Sequence, residues 1–178
     1  MTQCDVRGSP HHRGFRLPAL CGELSELPDG TVLDGELVCL EPLEGGRIRC
    51  RFDRLSGFII APGVHRPAAD GLTVMLVAFD ALTVDGADLR ARSWRERRGE
   101  PERLLAGATG LLRMTPVLEA SAHVHEALVA DGWEGTVAKH ALGRYRCGRR
   151  TASWVKLKSA AAIERDRMRV ASALRRAA

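Results

Sequence analysis

A largely apolar segment of strand length, LTVMLVAF at 72–79, is the longest hydrophobic run in this 178-residue chain. It is much shorter than the roughly 18 apolar residues that a membrane-spanning helix needs. A run of this length between turn residues is typical of a strand buried on both faces, here predicted over 72–80. Such a strand requires neighbouring strands and covering layers. We therefore expect a globular protein with a sheet in its core and no membrane segment.

Short strands and helices are mixed along the rest of the chain without the strand–helix–strand rhythm of a parallel sheet. Strands are predicted at 31–40, 47–52, 111–117, 135–140 and 153–158. Helices are predicted at 17–27, 121–132 and 160–178, and a further helix follows the capping box of Ser93 and Glu96. This mixture predicts an α+β fold. The length corresponds to about one domain of ordinary size.

The N-terminal segment and the cysteines indicate the cellular context. Residues 1–16 are polar and lack the apolar stretch of a secretory signal, and we expect them to be poorly ordered. The chain has five cysteines, an odd number with no CxxC pair, which argues against a disulfide framework or a zinc site. These features are typical of a cytoplasmic protein with reduced thiols.

Positive charge is concentrated at the C-terminal end. Residues 130–178 contain 12 Lys and Arg against 4 Asp and Glu, a balance of +8, and the remaining 15 and 18 give residues 1–129 a balance of −3. A basic third on a near-neutral body favours a partner that carries phosphate, either a nucleotide or a nucleic acid. A solvated helix face followed by a charged tail would give the same balance, so charge alone leaves both interpretations open.

Two acidic clusters lie in or beside predicted strands. Asp34 and Glu36 flank Gly35 inside an otherwise apolar strand, where carboxylates are costly unless they face a ligand, a metal or solvent. Phe79 and Asp80 form the predicted end of the buried strand, where an aromatic ring can stack on a base or simply belong to the core. A bulge or an edge strand remains the alternative for the first cluster.

Two further clusters lie near the basic third. Glu134 stands between Gly132 and Gly135 directly before a strand, a setting that suits a hard divalent cation but is equally typical of a turn. In SWVKLK, the two-residue period of a strand places Lys156 and Lys158 on one face. Two parallel ammonium groups can hold phosphates, or they can protect an exposed edge strand from aggregation.

The order of these clusters is more informative than any one of them. DGELV, FDAL, EGTVAK and WVKLK, in this order, resemble the motif series of the ATP-dependent DNA ligases, which are covalent nucleotidyltransferases. The resemblance extends from about residue 28 to residue 159, and DLRARSWRERR and GRYRCGRRTASWVKLK within it are similar to bacterial end-joining ligases. It implies a nucleotidyltransferase adenylation domain with mixed antiparallel sheets and flanking helices.

The resemblance also implies a role for each cluster. Glu36 would contact the ribose or help to bind the metal, and Phe79 would stack on adenine. Glu134 would support the divalent cation, Mg²⁺ or Mn²⁺, and Lys156 and Lys158 would hold the phosphates of ATP. In the family, a lysine attacks the α-phosphate of ATP, and the AMP then passes to the 5′-phosphate of a DNA nick, which the 3′-hydroxyl closes. DNA repair or recombination is therefore the expected process.

The chain departs from the family pattern at both ends. The KxDG motif that carries the nucleophilic lysine is absent, and the three lysines are Lys139, Lys156 and Lys158, so no catalytic residue is assigned. The family continues into an OB-fold, whereas about 20 residues follow Lys158 here. We expect a poorly ordered segment at 1–16, a partial adenylation domain at 17–159 and a basic helix at 160–178. Ligation by this chain alone is in doubt.

A basic loop is the predicted contact with nucleic acid. Four arginines cluster beside the lysine strand: Arg144, Arg146, Arg149 and Arg150. The expected partners are nicked or broken duplex DNA and ATP, bound by a monomer. Two other functions remain open, namely an RNA ligase or capping-type nucleotidyltransferase, which nucleotide preference would distinguish, and a non-catalytic nucleic-acid-binding remnant, which would bind DNA but not ATP.

Overall fold

The computed structural model describes residues 17–46, 48–51, 54–55, 71–149 and 151–177. Its helices are α1 (Pro18–Ser25), α2 (Trp94–Leu104), α3 (Ala122–Ala130) and α4 (Ala160–Ala177), with a short 3₁₀ turn at Glu44–Gly46. Its strands are β1 (Val32–Pro42), β2 (Ile48–Cys50), β3 (Thr73–Val84), β4 (Ala87–Asp88), β5 (Leu112–Met114), β6 (Gly135–Lys139) and β7 (Trp154–Lys158). The predicted α+β class is confirmed. The prediction for residues 1–16 lies outside the described residues.

The larger sheet contains five strands in the order β2-β1-β3-β4, and β5 pairs with β3 in parallel. The other pairs are antiparallel, and the hairpin of β1 and β2 turns through Glu44–Gly46. The large sheet contributes to two small apolar clusters. Cys39, Leu55 and Val74 form one, and Ala81, Val84 and Leu89 form the other. The core is thus built on the longest predicted strands.

Strand β3 differs from its prediction in length and burial. It was expected to end at Asp80, but it continues to Val84 because it pairs with β1 there and turns back into β4 through Asp85 and Gly86. Full burial occurs mainly at alternate positions rather than on both faces, as is common in antiparallel sheets. Phe79 and Asp80 therefore lie inside a strand, and their prediction as a strand end was wrong.

A buried ion pair joins helix α2 to this sheet. Asp80 and Arg97 are both fully buried, and the Arg97 guanidinium donates from Nε and Nη2 to the two Asp80 carboxylate oxygens over 2.9 and 2.8 Å. Arg97 Nη1 also donates to the carbonyls of Arg92 and Gly143. The capping box predicted at Ser93 and Glu96 is present and begins α2. This network positions the segment around 140–145 against the large sheet.

The smaller sheet is the antiparallel hairpin of β6 and β7, the two strands that were predicted on either side of the basic loop. Its register pairs Gly135 with Lys158, Val137 with Lys156 and Lys139 with Trp154. Helix α4 begins directly after β7, where the Ser159 hydroxyl accepts a hydrogen bond from the Ala162 amide. Within the described part of the chain, the helices are too short or too polar to cross a membrane.

Candidate nucleotide site at the junction of the two sheets

An irregularity in the large sheet determines where Phe79 lies. In the ladder between β1 and β3, Asp34 pairs with Asp80 and Gly35 pairs with Ala78, so Phe79 has no partner. This is a β-bulge, a feature that turns a side chain out of the regular alternation. A Cβ on Gly35 would lie 2.9 Å from the Val77 carbonyl oxygen, which explains the glycine between the two acids. The bulge that was an alternative for the DGE cluster is present.

Aromatic side chains from both sheets meet at this bulge. The ring of Phe79 on β3 lies 6.4 Å from that of Trp154 on β7, edge to face, and Tyr145 contacts Trp154 in the same manner at 5.8 Å. The indole Nε1 of Trp94 donates to the Phe79 carbonyl over 3.4 Å. FDAL and WVKLK, far apart in sequence, therefore converge at one junction.

Lys139 lies at the centre of these rings. Its Nζ is 3.9 Å from the ring centroid of Trp154, 4.1 Å from that of Phe79 and 5.8 Å from that of Trp94. It is buried without a hydrogen-bond partner among the described residues. Burial lowers the pKa of the Lys139 ammonium to about 8, against the opposing effect of nearby carboxylates. The ring faces also favour the ammonium.

The two lysines of β7 share a face with this aromatic cluster. Trp154, Lys156 and Lys158 alternate along the strand, and Trp154 contacts Phe79, so both lysines lie on the side that faces the junction. Lys156 is exposed, whereas Lys158 forms an ion pair with Asp166 of α4. Both Val155 and Leu157, on the opposite face, are nearly half exposed.

Glycine at position 135 makes this hairpin possible. Its backbone has φ of +151°, and a Cβ there would collide with the carbonyl of Leu157 on the paired strand. A positive φ of this kind is accessible to glycine at little cost. The conformation brings Glu134, the residue before β6, beside the end of β7, where the Ser159 amide donates to the Glu134 carbonyl over 2.8 Å.

The two candidate metal carboxylates lie near the same thiol. Burial raises the pKa of Cys50 to about 11, and the negative charges of Glu134 and Glu36 contribute in the same direction. Both glutamates therefore lie within electrostatic range of the Cys50 thiol. In the described residues there is no group of three or more His, Cys, Asp or Glu side chains that could hold a metal ion. Glu134 itself pairs with Arg165 of α4, Nη2 to Oε1, at 2.6 Å.

The basic loop is exposed and held in place by its backbone. The arginines Arg144, Arg146 and Arg149 are exposed, and Arg150 lies outside the described residues. Arg144 forms an isolated bridge with Ser93, and the Tyr145 amide donates to the Arg90 carbonyl over 3.1 Å. The loop thus presents its cations to solvent from a fixed backbone next to the aromatic cluster.

Several residues of this site were missed by the sequence analysis. Trp94 and Tyr145 extend the aromatic cluster, and Lys139 fills it; the alternation from Gly135 to Lys139, on the same face as β7's lysines, was the available signal. Arg165 and Asp166 approach Glu134 and Lys158 from α4. No local pattern marked these last two, because their role depends on how α4 packs.

Comparison with known proteins agrees with this geometry. The family described as the ATP dependent DNA ligase domain matches residues 16–158. Proteins named "Probable DNA ligase" from Streptomyces avermitilis and Streptomyces griseus are each 36% identical, over 80% of this chain. A solved mycobacterial DNA ligase D complexed with ATP and MES is 31% identical over 80% of this chain, with a TM-score of 0.58.

The matches cover only part of each relative. The chain spans 28% and 29% of the two Streptomyces proteins and 42% of the mycobacterial structure. The likeness therefore concerns one portion of longer proteins, the portion that carries the four sequence clusters.

Proposed function

Because the chain belongs to the family of ATP-dependent DNA ligases, we propose that it is the ATP- and DNA-binding part of such an enzyme, which joins nicks or ends in DNA repair or recombination. The convergence of the Phe79 bulge on β3 with the lysine-bearing face of β7 carries this proposal. An aromatic ring and two ammonium groups next to one another match the two ends of a nucleotide, its base and its phosphates.

Phe79 would contact the base of ATP, and the two lysines of β7 would contact its phosphates. Lys139 covers one face of the Phe79 ring, so adenine would stack on the opposite face. The phosphates would lie along β7, where Lys156 is exposed and Lys158 is partly so. Neutralisation of phosphate charge is the main requirement of phosphoryl and nucleotidyl transfer, and ammonium groups supply it directly.

A divalent cation fits this site only together with the nucleotide. Mg²⁺ keeps several waters and is commonly bound by one or two carboxylates plus substrate phosphates. Glu134 and Glu36, both near the Cys50 thiol, would supply two carboxylates, which agrees with that donor set and with the absence of a larger acidic cluster among the described residues. Bound there, the cation would neutralise phosphate charge. DNA would contact the exposed arginines of the loop at 144–149.

The test is the affinity for ATP of a lysine variant. Removing one charged hydrogen bond to phosphate costs about 1.5–3 kcal/mol, so Lys156→Ala is expected to weaken ATP binding at least about tenfold in calorimetry. Arg103→Ala is the matched control, because Arg103 is an exposed cation of α2 whose described contact is with Glu100. Unchanged affinity in Lys156→Ala would contradict the phosphate assignment. Tighter binding of GTP than of ATP would instead favour a capping-type enzyme.

A further inference from the structure

Helix α4 places opposite charges on two residues of the candidate site. Arg165 Nη2 lies 2.6 Å from Glu134 Oε1, and the Asp166 carboxylate forms an ion pair with Lys158 Nζ. These are adjacent positions of one helix. One contributes a cation to the candidate metal carboxylate, and the other contributes an anion to a candidate phosphate lysine.

The start of α4 makes both contacts possible. The Ser159 amide donates to the Glu134 carbonyl, and the Ser159 hydroxyl and carbonyl accept from the amides of Ala162 and Ile163. Ala162 is buried at 1% exposure and anchors the first turn. Residues three and four positions further along a helix lie on the same face, so Arg165 and Asp166 point to the side on which Ala162 is buried.

The charges correspond to those of the expected ligand. A guanidinium on Glu134 provides the positive charge that a divalent cation would bring, and a carboxylate on Lys158 provides the negative charge of a phosphate. From this correspondence we infer that α4 is an autoinhibitory element, whose Arg165 and Asp166 compete with the cation and the phosphates of ATP for Glu134 and Lys158. The inference rests on the proposed function of these two residues.

The exposure of the pairs makes them displaceable. The side chains of Arg165 and Glu134 are 46% and 40% exposed, and those of Lys158 and Asp166 are 32% and 43% exposed. Ion pairs this open to solvent are weak, so ATP with its cation can replace them. The element would raise the nucleotide concentration needed for binding rather than abolish binding.

The experiment compares two double variants of α4. Arg165→Gln with Asp166→Asn removes both competing charges and is expected to bind ATP about 2–10-fold more tightly than the wild type, the range expected for two exposed ion pairs. Glu164→Gln with Arg167→Gln is the matched control. It removes one charge of each sign from the flanking positions and is expected to leave ATP affinity unchanged. The side chains of Glu164 and Arg167 are 56% and 75% exposed, and their own ion pair is 3.7 Å long.

Calorimetry with ATP, with and without Mg²⁺, separates the outcomes. Tighter binding in the first variant alone supports autoinhibition. Equal binding in wild type and variant, or weaker binding in the variant, overturns autoinhibition and leaves the nucleotide site standing. Absence of ATP binding in all three proteins overturns both the inference and the proposed function.

A measurement on the unaltered protein covers the case in which the double variant does not fold. The ¹⁵Nη2 NMR signal of Arg165 reports its ion pair with Glu134, because Nη2 makes that contact. On titration with ATP and Mg²⁺, this signal is expected to move toward that of a solvent-exposed arginine, whereas Arg167 should not shift. A bound nucleotide that leaves the Arg165 signal in place would overturn the inference.

Discussion

At the scale of single residues, Lys139 lies in an environment that is unusual for a lysine. Its ammonium is enclosed by three aromatic rings, and burial lowers its pKa to about 8 from an ordinary value of 10.5. Between these two pH values the unfolded chain binds more protons than the folded one. The contribution of Lys139 to the free energy of unfolding should therefore rise with pH from about 8 to about 10.5 and stay constant below pH 8.

The variant Lys139→Met tests this dependence. A methionine fills similar space without the cost of burying charge, so the variant is expected to be more stable at pH 7, by about 1–2 kcal/mol once partial exposure is taken into account. Denaturant unfolding of both proteins at several pH values measures it. The difference between them should shrink as pH rises through 8–10. Comparing the two proteins cancels the effect of Cys50. Because its pKa is raised in the folded state, Cys50 lowers the free energy of unfolding as pH rises above about 9.

At the scale of elements, the β6–β7 hairpin depends on one glycine. Gly135→Ala is expected to destabilise the fold by about 2 kcal/mol or more, since the new methyl group would collide with the Leu157 carbonyl and the positive φ would be strained. Gly22→Ala is the control, because this position in α1 has open space around it and no positive φ. It should be neutral or slightly stabilising. Equal melting temperatures for the two variants would show that the hairpin tolerates a Cβ.

At the scale of the whole molecule, the charge asymmetry predicts salt-dependent binding to DNA. Replacing Arg144, Arg146 and Arg149 with Gln is expected to weaken binding and to reduce the slope of log K against log salt by up to about 3. Neutralising Arg49, Arg54 and Arg103 changes the net charge equally at exposed positions elsewhere. Binding measured by fluorescence anisotropy at several salt concentrations should respond to the first set more than to the second. An equal response would show that only net charge matters.

The positions of the three lysines predict whether this chain can form a covalent lysyl-AMP. Lys156 and Lys158 are assigned to phosphates, and the Nζ of Lys139 is enclosed by rings, so none is placed to attack the α-phosphate in line with the leaving pyrophosphate. A misplacement of about 1 Å can cost a hundredfold in rate. Incubation of this polypeptide with ATP and Mg²⁺ is therefore expected to produce no lysyl-AMP and no sealed nicks. Intact-mass spectrometry would reveal a gain of one AMP, and its mapping to any of the three lysines would refute the expectation.

Local pattern was sufficient for most elements and for the family. The two-residue alternation of Lys156 and Lys158 and the capping box at Ser93 depend on residues close in sequence, and the structure has both where they were predicted. The family could be recognised because the order of its four clusters does not depend on packing.

Contacts between distant segments decided the rest. The bulge at Phe79 exists only because β1 and β3 pair in one register, and the Asp80–Arg97 pair requires α2 to pack on that sheet. Likewise Lys139 is an ordinary strand lysine until rings from β3, α2 and β7 surround it. Periodicity reports which face a side chain occupies. It carries no information about what covers that face, because burial and ion pairing are set by residues far away in the chain.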